Sequence, residues 1–136
     1  MTPTRTGGCT CGAVRYEAAG RPVFQNHCHC RDCQRRSGTG HGSYLSFVGG
    51  VTVSGPTTTW AVAADSGNRK THAFCPTCGT PVFVTFAAMP GLVALHAASL
   101  DDPGAFAPTA VTFAARGLSW DSPAPGLDHF AATPPG

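Results

Sequence analysis

The seven cysteines stand in three short groups, and this arrangement restricts the fold of the chain more than any other feature. The groups are Cys9-Thr10-Cys11, Cys28-His29-Cys30-Arg31-Asp32-Cys33 and Cys75-Pro76-Thr77-Cys78. An odd number of cysteines cannot pair completely in internal disulfides. Because thiolates repel one another, sulfurs grouped in this way in a reducing cell indicate a neutralising metal cation.

The supply of core-forming side chains gives a second reason to expect metal cross-links. Leu, Val and Phe number 6, 10 and 8 among 136 residues, and Ile is absent. A chain this short with a thin apolar core needs additional cross-links. Its net charge of only +2 argues against disorder, which requires strong self-repulsion as well as poor hydrophobicity.

Charge and hydropathy exclude several classes of partner. The sequence contains no run of 18 apolar residues, so we expect no contact with a membrane through a spanning helix. The net charge, from eight Arg and one Lys against seven acidic residues, is too weakly positive to predict nucleic-acid binding. The N-terminus lacks the apolar run of a signal peptide, so a cytoplasmic location is expected. In that compartment clustered cysteines indicate metal ligands or catalytic thiols.

Alternation of apolar and polar residues favours strands over most of the chain. The run Pro81-Val82-Phe83-Val84-Thr85-Phe86 is the clearest strand, and a short helical turn is predicted over Arg31 to Arg36. Further strands are predicted at residues 14–17, 51–54, 57–62, 92–97 and 109–115. We expect a mainly β chain with a single zinc-binding domain over residues 5–130 and an irregular tail at 131–136.

The simplest partition of the cysteines is four plus three. Closed structural zinc sites take four ligands, and Cys9, Cys11, Cys75 and Cys78 would make such a site. The remaining triplet, Cys28, Cys30 and Cys33, would leave one metal position open for water or substrate. Spacing leaves other arrangements open: Cys9 and Cys11 could join Cys28 and Cys30, or a histidine could complete the triplet.

The ordered cysteine motifs resemble the glutathione-dependent formaldehyde-activating enzyme family, which shares its domain with centromere protein V. The matching stretches are residues 8–14, 28–38 and 74–80, then Ser99-Leu100-Asp101-Asp102-Pro103, Trp120, Leu127 and Phe130. The resemblance implies small stacked antiparallel sheets with zinc knuckles and one short helical turn. It also implies two zinc ions per chain, with the triplet holding the active-site metal. One departure is visible: relatives often carry Pro-x-x-His where this chain has Pro108-Thr109-Ala110-Val111.

A zinc ion held by three thiolates favours a soft fourth ligand, and coordination deprotonates a thiol at neutral pH. Together with this chemistry, the resemblance implies a zinc-dependent carbon–sulfur lyase similar to S-(hydroxymethyl)glutathione synthase. Such an enzyme joins glutathione to formaldehyde, or acts on a related thiol adduct. The alternative is a non-catalytic zinc-binding interaction module, or a sensor of thiols or metals that works through a labile triplet.

Residues around the triplet supply candidates for the remaining chemistry. His29 is expected to shuttle a proton or to act as a fourth ligand, although it could equally orient a sulfur or a carbonyl. Arg31, Arg35 and Arg36 offer a positive surface for the carboxylates of a thiol substrate, against the alternative of a solvated helical face. His41, in a Gly-rich loop, and His72 are expected to have structural roles.

Aromatic rings are expected inside the molecule, because a chain poor in Leu and Ile needs them to fill its core. These rings are Phe47, Trp60, Phe83 and Phe86.

Overall fold

A computed structural model describes residues 3–64 and 66–134, and residues 135–136 of the expected tail lie outside them. Eleven strands, one α-helix and three short 3-10 helices are found in these ranges. The strands are β1 (Thr4–Gly8), β2 (Arg15–Ala19), β3 (Phe24–Cys28), β4 (Gly42–Val48), β5 (Val51–Ser54), β6 (Thr58–Ala63), β7 (Arg69–Phe74), β8 (Pro81–Phe86), β9 (Leu92–His96), β10 (Ala110–Thr112) and β11 (Asp128–His129). The helices are α1 (Arg31–Ser37) and the 3-10 turns Ala97–Ser99, Pro103–Ala105 and Ala114–Arg116.

The strands form two sheets. The smaller is antiparallel, with the order β1-β2-β5, and the larger has the order β11-β10-β3-β4-β9-β8-β7-β6. Pairing in the larger sheet is antiparallel from β3 to β6, whereas β10 runs parallel to both β3 and β11. The expected mainly β fold with stacked sheets and one short helix is confirmed.

Alternating burial along β2 shows how the smaller sheet covers the larger one. Tyr16 and Ala18 are buried, whereas Arg15 and Glu17 between them are exposed, as the period of a strand requires. Tyr16 packs in the main hydrophobic core, which also holds Leu45, Phe47, Val82 and Leu95 from the larger sheet. A second core cluster surrounds the cysteine triplet and includes Tyr44, Val84 and Ala94.

Helix α1 is a short element that depends on the cysteines at its start. The backbone N–H of Cys33 donates to the Cys30 sulfur at 3.3 Å, so Cys30 caps the helix N-terminus. The helix ends at Gly38, whose φ of 76° lies in the left-handed region that glycine tolerates best. None of the helices in the described ranges is long and apolar enough to cross a membrane.

The prediction that Trp60 lies in the core is wrong. Its side chain is 54% exposed, because β6 is the last strand of the larger sheet and pairs only with β7. Phe47 is buried as expected, and Phe83 and Phe86 are partly buried against the two core clusters.

Candidate metal and thiol-binding site

The first cysteine cluster joins the loop after β1 to the turn between β7 and β8. The sulfurs of Cys9, Cys11, Cys75 and Cys78 all lie within 4.8 Å of one another. The Cys11 sulfur lies 3.6 Å from that of Cys9 and 3.7 Å from that of Cys75. Sulfurs on a tetrahedral zinc with bonds of 2.3 Å are about 3.8 Å apart, so these residues fit that ion.

Backbone amides support the sulfurs of this cluster. The Val14 N–H donates to the Cys9 sulfur at 3.2 Å, and the N–H groups of Thr77 and Cys78 point at the Cys75 sulfur at 3.4 and 3.5 Å. Tight turns at the first and third cysteine groups therefore supply the donors that a thiolate needs in place of water.

The second cluster holds Cys28, at the end of β3, with Cys30 and Cys33, at the start of α1. The three sulfurs lie within 4.8 Å of one another, and all three residues are buried. None of the seven cysteines is in a disulfide. The grouping is four plus three, and the alternative pairing of Cys9 and Cys11 with Cys28 and Cys30 is not the one found.

The triplet cannot ionise fully without a cation. Hydrogen bonds from the Cys30 and Cys33 thiols lower the pKa of Cys28 to about 3. The same contacts, with the Cys28 sulfur as their partner, raise the pKa of Cys30 and of Cys33, because each further thiolate meets an existing negative charge. A bound metal ion removes this repulsion, so the donor set suits a thiophilic metal such as zinc.

Lys70 lies beside the triplet, and the sequence analysis missed it. Its ammonium is 3.9 Å from the sulfurs of both Cys30 and Cys33, and the residue is only 7% exposed. Burial lowers the pKa of Lys70, but the charges of Cys33, Cys30 and Asp32 outweigh burial and raise it. Two features of the sequence could have indicated it. Lys70 is the single lysine of the chain, and it stands two positions before His72, so a strand directs both side chains to the same face.

Asp32 connects Lys70 to a second buried side chain. One Asp32 oxygen lies 2.9 Å from the Lys70 ammonium and 2.6 Å from His72 Nε2, and the other lies 3.5 Å from Arg36 Nε. Burial raises the pKa of the Asp32 carboxyl, but Lys70 and His72 outweigh it and lower that pKa. Asp32 is therefore held as an anion, and His72, which carried no motif in the sequence, is part of this network.

Tyr44 supplies a neutral donor to the same group of sulfurs. Its hydroxyl donates to the Cys33 sulfur at 3.2 Å, and its ring packs against His96 with centroids 4.9 Å apart. Burial, with the neighbouring Cys33 sulfur, raises the pKa of Tyr44 well above its usual value. The hydroxyl therefore stays protonated and can donate.

The rings of three histidines, His27, His29 and His41, lie close to one another. The ring of His41 lies 4.8 Å from that of His27 and 5.2 Å from that of His29 between centroids. His41 Nδ1 is bonded to Asp121 at 2.7 Å, and Gly40 permits this approach, since a Cβ there would lie 2.4 Å from the Asp121 side chain. His41 thus has a defined partner, which its setting in a Gly-rich loop did not indicate.

His29 is 1% exposed, and burial lowers its pKa. Its Nδ1 has no hydrogen-bond partner among the described residues. Within residues 3–64 and 66–134, only the three sulfurs form the second cluster, so His29 does not join it as a fourth ligand in this conformation. Its expected role as a proton shuttle stays a prediction.

The expected arginines do not converge on one point. Arg36 lines a cavity of about 730 Å³ between the end of α1, the start of β4 and the loop at Cys9. Arg35 lies with Arg36 on a smaller cavity of about 240 Å³, while Arg31 is exposed and bonded to Gln34. The larger cavity is also lined by His41, His96 and the exposed Arg15–Asp101 ion pair.

Comparison with known proteins identifies a family and a similar fold. The family profile described as "Glutathione-dependent formaldehyde-activating enzyme" matches residues 4–116. The crystal structure of a Rhodobacter sphaeroides protein is similar in fold, with a TM-score of 0.56 and 22% identity. The match covers 71% of this chain and 88% of that one. No protein with a curated description matches the chain significantly.

Proposed function

Because the chain belongs to the glutathione-dependent formaldehyde-activating enzyme family, we propose that it is a zinc-dependent carbon–sulfur lyase. The reaction joins the sulfur of glutathione to the carbon of formaldehyde, or forms a related thiol adduct. The observation that carries the proposal is a buried triplet of sulfurs, Cys28, Cys30 and Cys33, which offers a metal three ligands and not four.

The chain's own cysteines would hold two zinc ions with different roles. Cys9, Cys11, Cys75 and Cys78 provide a complete ligand set and so a structural cross-link. At the triplet, a bound zinc would supply a position at which the incoming thiol loses its proton at neutral pH. None of the seven cysteines is in a disulfide, as expected in a reducing compartment, and this supports a cytoplasmic location.

The addition itself requires little beyond orientation and the transfer of one proton. The thiolate sulfur forms a bond to the carbonyl carbon, the C=O π pair moves to oxygen, and that oxygen takes up a proton. Orienting the two reactants beside the triplet would remove much of the entropic cost of bringing them together. Arg36 lines the larger cavity and is suited to a substrate carboxylate.

We assign the proton transfer to His41. It lines the larger cavity, and Asp121 fixes its ring, as general acid–base catalysis requires. We propose that His29, the expected proton shuttle, acts together with His41, against whose ring it packs. Arg31 and Arg35 are proposed to add only a diffuse positive field, because they lie outside the larger cavity.

We propose that residues 5–130 act as one domain in this function. β11, at residues 128–129, pairs with β10, which in turn pairs with β3 next to Cys28. The tail from residue 131 onwards adds backbone hydrogen bonds to the body, from Phe113 to Ala132 and from Ala115 to Ala131.

The experiment is an exchange NMR measurement of glutathione with formaldehyde, with metal analysis of the same sample. We expect two zinc ions per chain and faster exchange with the wild type. Cys30→Ser should retain one zinc and the fold but lose the acceleration, and Arg21→Ala, altered at an exposed position outside the larger cavity, serves as the matched control.

Three results would contradict the proposal. If exchange is equally fast with the wild type, with Cys30→Ser and without protein, the proposed formaldehyde reaction is ruled out. Two zinc ions together with no thiol binding would instead support the non-catalytic interaction module. Loss of folding in Cys30→Ser, with both metals released, would make the triplet structural.

A further inference from the structure

The single lysine of the chain occupies a costly position. Lys70 is 7% exposed, although lysine side chains are rarely buried unless they are paired. Its ammonium lies 3.9 Å from two sulfurs of the triplet, which makes it a charge-assisted donor to both. The neighbouring Arg69 on the same strand is exposed, so the strand directs one of its two adjacent cations inward.

Asp32 holds the ammonium of Lys70 in this position. The Asp32 oxygen is 2.9 Å from Lys70 Nζ and also bonds His72 Nε2 at 2.6 Å. The other Asp32 oxygen faces Arg36 at 3.5 Å, which offsets the charge of the carboxylate. Because both Asp32 oxygens are paired with cations, the carboxylate is held in place and keeps the Lys70 ammonium beside the sulfurs of Cys30 and Cys33.

The formal charges show what the ammonium changes. Three thiolates and a divalent ion carry a net charge of −1, and an anionic fourth ligand would make this charge −2. Lys70 brings the two states to 0 and −1. An anion approaching a site of zero net charge meets no net repulsion at close range, where the interior screens charges far less than water does.

We propose that Lys70 is a specificity-determining residue that makes the triplet site prefer an anionic fourth ligand, a thiolate, over a neutral nitrogen ligand. The inference rests on the proposed function in one respect, that a divalent metal binds Cys28, Cys30 and Cys33. It goes further by naming the charge class of the fourth ligand and the residue that selects it.

The test uses the full-length protein loaded with Co²⁺ at both cysteine clusters, because cobalt–thiolate absorption reports each change of coordination. The protein is titrated with glutathione and, separately, with imidazole, in the absence of formaldehyde. Variants are Lys70→Met and Lys70→Gln, with Lys70→Arg to restore the charge and exposed Arg69→Met as the matched control.

Both neutral variants should bind glutathione about tenfold or more weakly, whereas their imidazole affinity changes by less than about twofold. Lys70→Arg should recover much of the glutathione affinity, and Arg69→Met should behave as the wild type. The ratio of the two affinities is the decisive value, because a general loosening of the site would weaken both ligands together.

Equal weakening of glutathione and imidazole binding in the neutral variants, or no change in either, would overturn the proposal. Lys70→Gln preserves polarity if Lys70→Met does not fold. Failure of the formaldehyde reaction would not affect this test. The ratio of the glutathione and imidazole affinities is measured without formaldehyde and tests the role of Lys70 independently.

Discussion

The hydroxyl of Tyr44 illustrates how one atom can serve the metal site without being a ligand. It donates to the Cys33 sulfur at 3.2 Å from a side chain that is 6% exposed. A donor to a coordinating thiolate restrains its orientation and reduces its negative charge. The same residue type occurs at Tyr16, whose hydroxyl is bonded to Ser99 in the main core at 2.7 Å.

Tyr44→Phe is expected to weaken metal binding at the triplet by about tenfold, because groups that orient metal ligands commonly contribute on that scale. Zinc competition with a chromophoric chelator measures the effect, and the four-cysteine cluster should keep its affinity. Tyr16→Phe is the control: it should lower the free energy of unfolding by about 1 kcal/mol while leaving both metals bound. Equal metal affinities in the two variants would contradict the role given to Tyr44.

His96 is a second residue with a specific consequence, in this case for pH. Burial lowers its pKa to about 4. The folded state therefore binds fewer protons at His96 than the unfolded state between pH 4 and pH 6.5. Stability that is present above pH 6.5 should be lost as the pH falls towards 4, by up to about 3 kcal/mol.

The difference between wild type and His96→Gln isolates this effect. Protonation of the cysteines also lowers stability in acid, but both proteins share that loss. The difference in unfolding free energy, from denaturant titrations at pH 4.5 and pH 7, should shrink in acid, because only the wild type loses the contribution of neutral His96. A difference independent of pH would contradict the lowered pKa.

At the scale of elements, the sequence correctly predicted strands in which apolar residues alternate with polar ones. The strand at 81–86 and that at 51–54 are found with the predicted bounds, and α1 extends one residue beyond the predicted turn. A strand leading to Cys75 was expected without bounds, but its inward residues Lys70 and His72 were not, because they invert the usual pattern of polar residues facing water. β3 was missed for a similar reason, since its inward side chain Asn26 is polar and bonded to Thr112.

The four-cysteine cluster links elements that are distant in sequence, so it should control their stability. Cys78→Ser removes one ligand at an exposed position and should lower the free energy of unfolding by about 3 kcal/mol or more. Thermal unfolding with and without a chelator measures this. In chelator, the melting temperature of the wild type should approach that of the variant. A variant that is as stable as the wild type and insensitive to chelator would contradict the cross-link.

At the scale of the whole molecule, the C-terminal segment closes one side of the larger sheet. β11 pairs with β10, and the N–H groups of Phe130 and Ala114 donate to Val111 and Phe130 carbonyls at 2.9 Å each. Val111 of β10 is fully buried.

A chain ending at residue 123 should have a lower melting temperature, because β10 loses its neighbour on one side and its backbone groups become exposed. We expect a loss of several degrees, measured by calorimetry at equal zinc content. A chain ending at residue 132 keeps the described hydrogen bonds of Phe113 and should melt close to the full chain. Identical melting of all three would contradict a stabilising role for β11.

Local spacing was sufficient to identify the cysteine motifs and the mainly β fold, because a knuckle and a strand are both encoded by neighbouring residues. The tertiary structure decided the rest. Lys70 reaches Cys30 and Cys33 across 37 to 40 positions, and His41 meets Asp121 across 80. Trp60 is exposed for the same reason: which strand becomes an edge depends on the order of the whole sheet, and no local pattern records that order.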